Sequence, residues 1–287
     1  MNLRFRNRHR HPPHSRLVVW VLIIGVMLRH FLLSLLLFSF NLGAAFAYDA
    51  LAMVDSSKGT LPLILTVPHD GGDFLGMVPV RKTGALVRDA GTAELAQRVA
   101  SVLQARTGKR PYLVIARFSR KYLDANRTEQ EAMESEEAMP AYRAYHDQIA
   151  AYVAEVKARY PNGSLLVDVH GQSQDPDTTF RGTRAGVTTR ALLGRHGQAA
   201  IQGVSSIVGV LAAKGYAVNP PVDAQSLGED PRYSGGFTVF QYGSHKTWGI
   251  DAIQLEFGKN HRAQERLAQD FAEALIVFMT QYGLLTP

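Results

Sequence analysis

The sequence predicts an α/β domain, a three-layer sandwich in which helices cover both faces of a mainly parallel sheet. Three observations carry this reading. Short apolar runs of β type alternate with helical patterns along the chain. Those runs are nearly continuous in apolar residues, as strands buried on both faces are. Several of them end in a histidine, an acid or an arginine-dense loop, which is where open α/β sheets keep their sites.

The elements follow in order. Leu61–Pro68 is an apolar run that ends at His69-Asp70-Gly71-Gly72. Arg88-Asp89-Ala90-Gly91-Thr92 precedes a helical pattern that Gly108 ends. Tyr112–Ala116 is a short strand, followed by the loop 117–127 with three arginines and a lysine and then by glutamates at 129–137 that read as a solvated face. Ala138–Tyr160 has helical spacing and holds His146. Leu165–Gly171 is the central strand; Asp168 and His170, two apart, share one of its faces. Phe180–Leu192 reads as a strand running into a short helix, and Gly197–Gly215 as one helix. Asn219–Arg232 is a long loop of the kind that lines sites. The segments around Tyr233–Thr238 and Tyr242–His245 read as turns about a short strand. Ile250–Phe257 is a strand carrying Glu256, and Gln264–Tyr282 an amphipathic closing helix.

The N-terminus stands apart. Residues 1–16 hold five arginines and no acid, Leu17–Phe40 is almost continuously apolar but for Arg29-His30, and Ala45-Phe46-Ala47 has the A-x-A spacing of a cleavage site. Residues 1–47 therefore read as an export signal cut after Ala47, with an uncleaved membrane anchor as the alternative, and residues 48–287 as one domain. The expected location is periplasmic or secreted. The formal charge of +6 comes from the six arginines of this segment, so it is no footprint for nucleic acid, and contact with a membrane is expected only through this segment. With no cysteine in the chain, disulfides are excluded and any metal site must be built from His, Asp and Glu.

Two histidines at neighbouring strand ends, His69 and His170, with one acid make an open zinc site. Asp89, Asp70 and Asp73 compete for the third place; Asp89 is favoured because it can turn inward ahead of its helix, although an aspartate there is often a cap. Asp168 reads as a support that orients His170. Glu256, a carboxylate in an otherwise apolar strand, suits a general base whose pKa burial raises; a salt bridge to Arg262 is its bland alternative. Arg120 and Arg127, with Asn126, form the cationic wall that would hold a substrate carboxylate and a developing oxyanion; its bland alternative is a surface loop pairing with the glutamates of 129–137. His146 reads as structural.

Val67-Pro68-His69-Asp70-Gly71-Gly72, Arg88-Asp89 with Thr92, Arg120, Asp124-x-Asn126-Arg127, Asp168-Val169-His170-Gly171 and Gln254-Leu255-Glu256, in this order, resemble the N-formylglutamate amidohydrolase family. The resemblance implies a phosphorylase/hydrolase-like fold, one zinc ion, and hydrolysis of an amide beside a carboxylate in an N-acyl amino acid or small peptide. It carries zinc ligation onto His69 and His170, anion binding onto Arg120 and Arg127, and base catalysis onto Glu256. A zinc carboxypeptidase-type His-x-x-Glu is absent, because Gly72 stands where that glutamate would. An amidase or carboxypeptidase of cell-wall peptides, and an anchored binding protein without turnover, are the rival readings.

Overall fold

The computed structural model describes residues 48–285; the expected signal or anchor of residues 1–47 lies outside them. Seven strands make one sheet: β1 (Val54–Ser57), β2 (Leu63–Val67), β3 (Tyr112–Ala116), β4 (Leu165–Gln172), β5 (Thr178–Gly182), β6 (Ala217–Asn219) and β7 (Asp251–Gly258), in the spatial order β1-β3-β2-β4-β7-β5-β6. The four central strands β3, β2, β4 and β7 run parallel. Edge strand β1 is antiparallel to β3, and β5 is antiparallel to β7 while pairing with β6 in parallel. The sheet is thus mainly parallel, as expected. The short, largely exposed β1 (Val54-Asp55-Ser56-Ser57) escaped the sequence reading because it has no apolar pattern to show.

The principal helices are α1 (Thr92–Thr107), α2 (Met139–Arg159), α3 (Arg190–His196), α4 (Ile207–Ala213), α5 (Phe237–Tyr242) and α6 (Leu267–Gln281). Helices α1, α4 and α6 press Leu95, Val99, Leu211, Phe271 and Phe278 onto the odd-numbered residues of β2, β4 and β7. Helices α2 and α5 cover the opposite face. Among the described residues no helix is long and apolar enough to cross a membrane.

Two expectations fail locally. Gly197–Gly215 is broken into Ala199–Gln202 and α4, with Val204 of the expected apolar face 78% exposed. The break falls at Gly203–Ser206, where the Ser206 hydroxyl accepts from the Gly209 N–H and starts α4 afresh. Gly209 packs so closely on the Gly203 carbonyl that a side chain at 209 would not fit. The region 233–245 holds the short helix α5 where turns about a strand were expected, its helical signal being too brief for periodicity to reveal.

The register of β4 and β7 positions the site. Asp168 pairs with Gln254 and His170 with Glu256. Alternation then puts all four polar residues on one face of two neighbouring strands, and Val167, Val169, Ile253 and Leu255 on the other. The polar four point toward α2 and α5, and the apolar four join the main core.

Candidate metal centre

The residues of the centre come from two neighbouring strand ends and a loop. His69 follows β2, Asp89 lies in the loop before α1, and His170 sits near the end of β4. Their inner atoms form a near-equilateral triangle. The His69 and His170 Nδ1 atoms are 3.1 Å apart, Asp89 Oδ2 is 3.4 Å from the first and 3.3 Å from the second, and all three residues are buried.

The outer nitrogens fix what those inner atoms can be. His69 Nε2 meets Asp124 Oδ1 at 2.6 Å, and His170 Nε2 meets Asp168 Oδ2 at 2.8 Å. An ionised carboxylate only accepts, so each Nε2 carries the hydrogen and, in the neutral ring, Nδ1 presents a lone pair. Two lone pairs and a carboxylate oxygen then face one another at 3.1–3.4 Å with no hydrogen among them. Only a cation or an added proton relieves that arrangement. Ligands at about 2.0–2.2 Å from a tetrahedral zinc ion are separated by about 3.3–3.6 Å, close to the sides of this triangle. The residues present fit such an ion, and of the described acids and histidines they are the group placed to hold one.

The electrostatics agree. Burial works to raise the Asp89 pKa, but the imidazoles of His170 and His69 hold it well below the ordinary carboxylate value. Burial would lower His170, yet the charges of Asp168 and Glu256 outweigh it and raise its proton affinity well above normal. Neighbours that favour a proton there favour any cation. Asp124, buried, is held low by His69 and Arg120 against the effect of burial.

The three competing acids are now separated. Asp70 accepts from the Ala93 N–H in the first turn of α1 at 2.7 Å and from Arg88 Nε at 2.6 Å, so Asp70 does the capping that Asp89 was suspected of. Asp73 pairs with Arg117 at the surface. Asp89 is left to the centre, where its Oδ2 also accepts from the Gly171 N–H. Gly171 lies close against the Arg262 guanidinium, which a side chain at 171 would displace.

Glu256 Oε1 lies 3.9 Å from His170 Nδ1 and accepts from Gln254 Nε2 at 3.0 Å. Burial raises its pKa above the ordinary value, with the charge of His170 pulling the other way. Arg262 is not its partner: the guanidinium donates to the carbonyls of Ala90, Gln172 and Phe257. Arg120 Nε donates to Asp124 at 3.0 Å, and its Nη1 lies 3.6 Å from Asp89. Arg127 donates to the Asn126 carbonyl, and no carboxylate pairs with it among the described residues. Both arginines line a cavity of about 680 Å³ over the centre. The bland alternative, pairing of this loop with the glutamates that follow it, is not what Arg120 and Arg127 do: among the described residues neither forms an ion pair with Glu129, Glu131 or Glu134.

Asn126, expected to meet substrate, has its amide engaged: Oδ1 accepts from the Thr238 N–H at 2.7 Å and Nδ2 donates toward Gln254. It pins the wall at Gly235–Gly236, where a side chain on Gly236 would overlap the Asn126 amide. His146 is structural, set between the Ala125 carbonyl and the Tyr242 hydroxyl. Asp124 is the residue whose role the sequence did not disclose. In the sequence it stands only as part of the Asp124-x-Asn126-Arg127 motif, and only the fold brings it behind His69.

The family model of N-formylglutamate amidohydrolase matches residues 134–261, which include His170 and Glu256 and begin after His69, Asp89 and the arginine loop. No curated protein matches the chain. Two solved structures share its fold. One is an N-formylglutamate amidohydrolase from Ralstonia eutropha JMP134, 15% identical, with TM-score 0.54, covering 81% of this chain and 98% of that one. The other is a gene product from Agrobacterium tumefaciens, 14% identical, with TM-score 0.55, covering 83% of this chain and 97% of that one. The resemblance read from the motifs therefore stands as a likeness: residues 134–261 match the N-formylglutamate amidohydrolase family model.

Proposed function

We propose that this chain hydrolyses an amide bond next to a carboxylate, with one zinc ion held by His69, His170 and Asp89. The observation that carries the proposal is the triangle of two Nδ1 lone pairs and one carboxylate oxygen, with Glu256 beside it. A bound zinc ion supplies Lewis acidity, acidifying water and polarising a carbonyl. Asp124 and Asp168 hold the two imidazoles in the tautomer that presents Nδ1. Glu256, with its raised pKa, takes the proton from the attacking water and passes it to the departing nitrogen. Arg120, anchored between Asp124 and Asp89, is placed for the carbonyl oxygen as it gains charge. Arg127, which has no carboxylate of its own, takes the substrate carboxylate. Asn126 keeps the wall in place.

The test is metal analysis of the purified protein together with turnover of N-acyl amino acids by the wild type and Glu256→Gln. One zinc ion per chain in both proteins, with a rate loss of about 10²–10⁴ in the variant, supports the reading. Absence of bound metal at neutral pH, or full activity in Glu256→Gln, would sink it. We also propose that the protein is exported; N-terminal sequencing of the mature chain checks for a start at Tyr48.

A further inference from the structure

The cavity over the centre does not end there. A second cavity of about 670 Å³ adjoins it, and the two share Ala85, Asp89, Arg120, Gly171, Gln172 and Tyr233. The first opens over the α2–α5 layer, with Arg127, Arg184 and Phe240 in its wall. The second opens over the start of α1 and the end of β7, with Gly91, Gln174 and Lys259 in its wall. The cleft therefore crosses the carboxyl edge of the sheet from one helical layer to the other, with Asp89 at the junction. Each half alone has the size of a small-ligand pocket. A single N-acyl amino acid would fill only one of them.

Each half also offers a cation that the protein does not neutralise. Arg184 has no carboxylate partner among the described residues; its guanidinium lies 4.5 Å over the Phe240 ring. The turn that presents it is strained, with φ of +49° at Arg184 and +51° at Ala185. That strain is held by the buried Glu229, which accepts from the Thr183 and Ala185 N–H groups and pairs with Arg181. In the other half the exposed Lys259 is likewise unpaired among the described residues, whereas Arg88 is tied to Asp70 and Arg262 to backbone carbonyls.

We infer that the substrate is an acidic, peptide-like oligomer that lies across the centre, with carboxylates near Arg184 on one side and Lys259 on the other, and is cut at an internal amide. The inference rests on the amide-hydrolase reading for its chemistry. Water oxygen bonds to the carbonyl carbon, the C–N bond breaks, and the departing nitrogen takes the proton that Glu256 carries. The products are a shortened carboxylate and a shortened amine, with no change of oxidation state. Binding energy gathered on both flanks is available to the reacting centre, so chain length acts on rate as well as on affinity.

Binding is measured calorimetrically on full-length Glu256→Gln with three probes: N-acetylglutamate, an N-acetylated tetraglutamate and an N-acetylated tetraglutamine. Tetraglutamate is expected to bind at least tenfold more tightly than either of the others, and Arg184→Ala and Lys259→Ala each to shrink that advantage at least threefold. Equal affinity for the one-residue and four-residue acids overturns the crossing substrate; tetraglutamine binding as tightly as tetraglutamate overturns its acidic character. If Glu256→Gln does not fold, KM values of the wild type for the same probes give the same ranking. Mass spectrometry of wild-type products is expected to find internal fragments. Tight binding of tetraglutamate without cleavage of any probe by the wild type would refute the hydrolase reading while leaving the extended binding site standing.

Discussion

His146 and His170 are both buried, 9% and 2% exposed, and both use two ring nitrogens for polar contacts within the fold. Their surroundings make them opposites. His146 lies among a carbonyl, a hydroxyl and aromatic rings, and burial pushes its pKa down to about 4. His170 lies among Asp168, Asp89 and Glu256, whose charges overcome burial and raise its pKa. Burial depth does not separate these two histidines; the formal charge of what each ring nitrogen faces does. A ring with only neutral partners is complete, whereas one whose inner nitrogen faces a carboxylate and a second imidazole is suited to a cation.

Removing members of the centre breaks that contrast most severely. His170→Ala and Asp89→Ala should each abolish stoichiometric zinc binding, losing more than the roughly 10–100-fold that a lost partner behind a ligand costs. His146→Ala should leave zinc content unchanged, as metal analysis will show.

The next effect concerns acid. The folded-state pKa of His146 is depressed, so between about pH 6.5 and 4 the unfolded chain holds more protons than the folded one. Its burial therefore costs nothing above about pH 6.5 and progressively lowers stability as pH falls toward 4, by about 3 kcal/mol in full. His146→Gln should lose that part of the acid dependence, seen in urea unfolding at pH 7 and pH 4.

Smaller changes sharpen the comparison. Asp168→Asn and Asp124→Asn leave the ligands in place but free their tautomers. Each should weaken zinc by about 10–100-fold in competition with a chelator. Asp70→Ala should have the least effect on the centre. It loses the cap on α1, at about 0.5–2 kcal/mol of stability, and keeps the zinc. Loss of zinc in that variant would show that Asp70 and Asp89 had been assigned the wrong way round.

Much of the fold was legible because the central strands are apolar on both faces and stand apart from helices with clear periods. Tyr112–Ala116 and the end of α1 at Gly108 were read at their observed limits. The broken helix at Gly203–Ser206 was not, because its apolar spacing continues through the break and only the exposure of Val204 reveals it. In the site, His69, His170 and Glu256 announced themselves as polar residues at the ends of apolar strands. Asp89 against Asp70 could not be decided from sequence, since both precede α1 and only the fold shows which one turns toward it. Asp124 was hidden by its own loop, since nothing in the spacing of 117–127 shows that it comes to stand behind His69.

The pairing of β4 with β7 has a consequence for how the chain assembles. Because His170 stands opposite Glu256 and Asp168 opposite Gln254, a slip of one residue in either strand would turn its polar pair into the main core and its apolar residues toward the cleft. Uncompensated carboxylates in that core would be expelled at once. The polar residues of the candidate centre thus act as proofreaders of assembly: a chain that has closed its sheet stably has, by the same event, brought them into alignment.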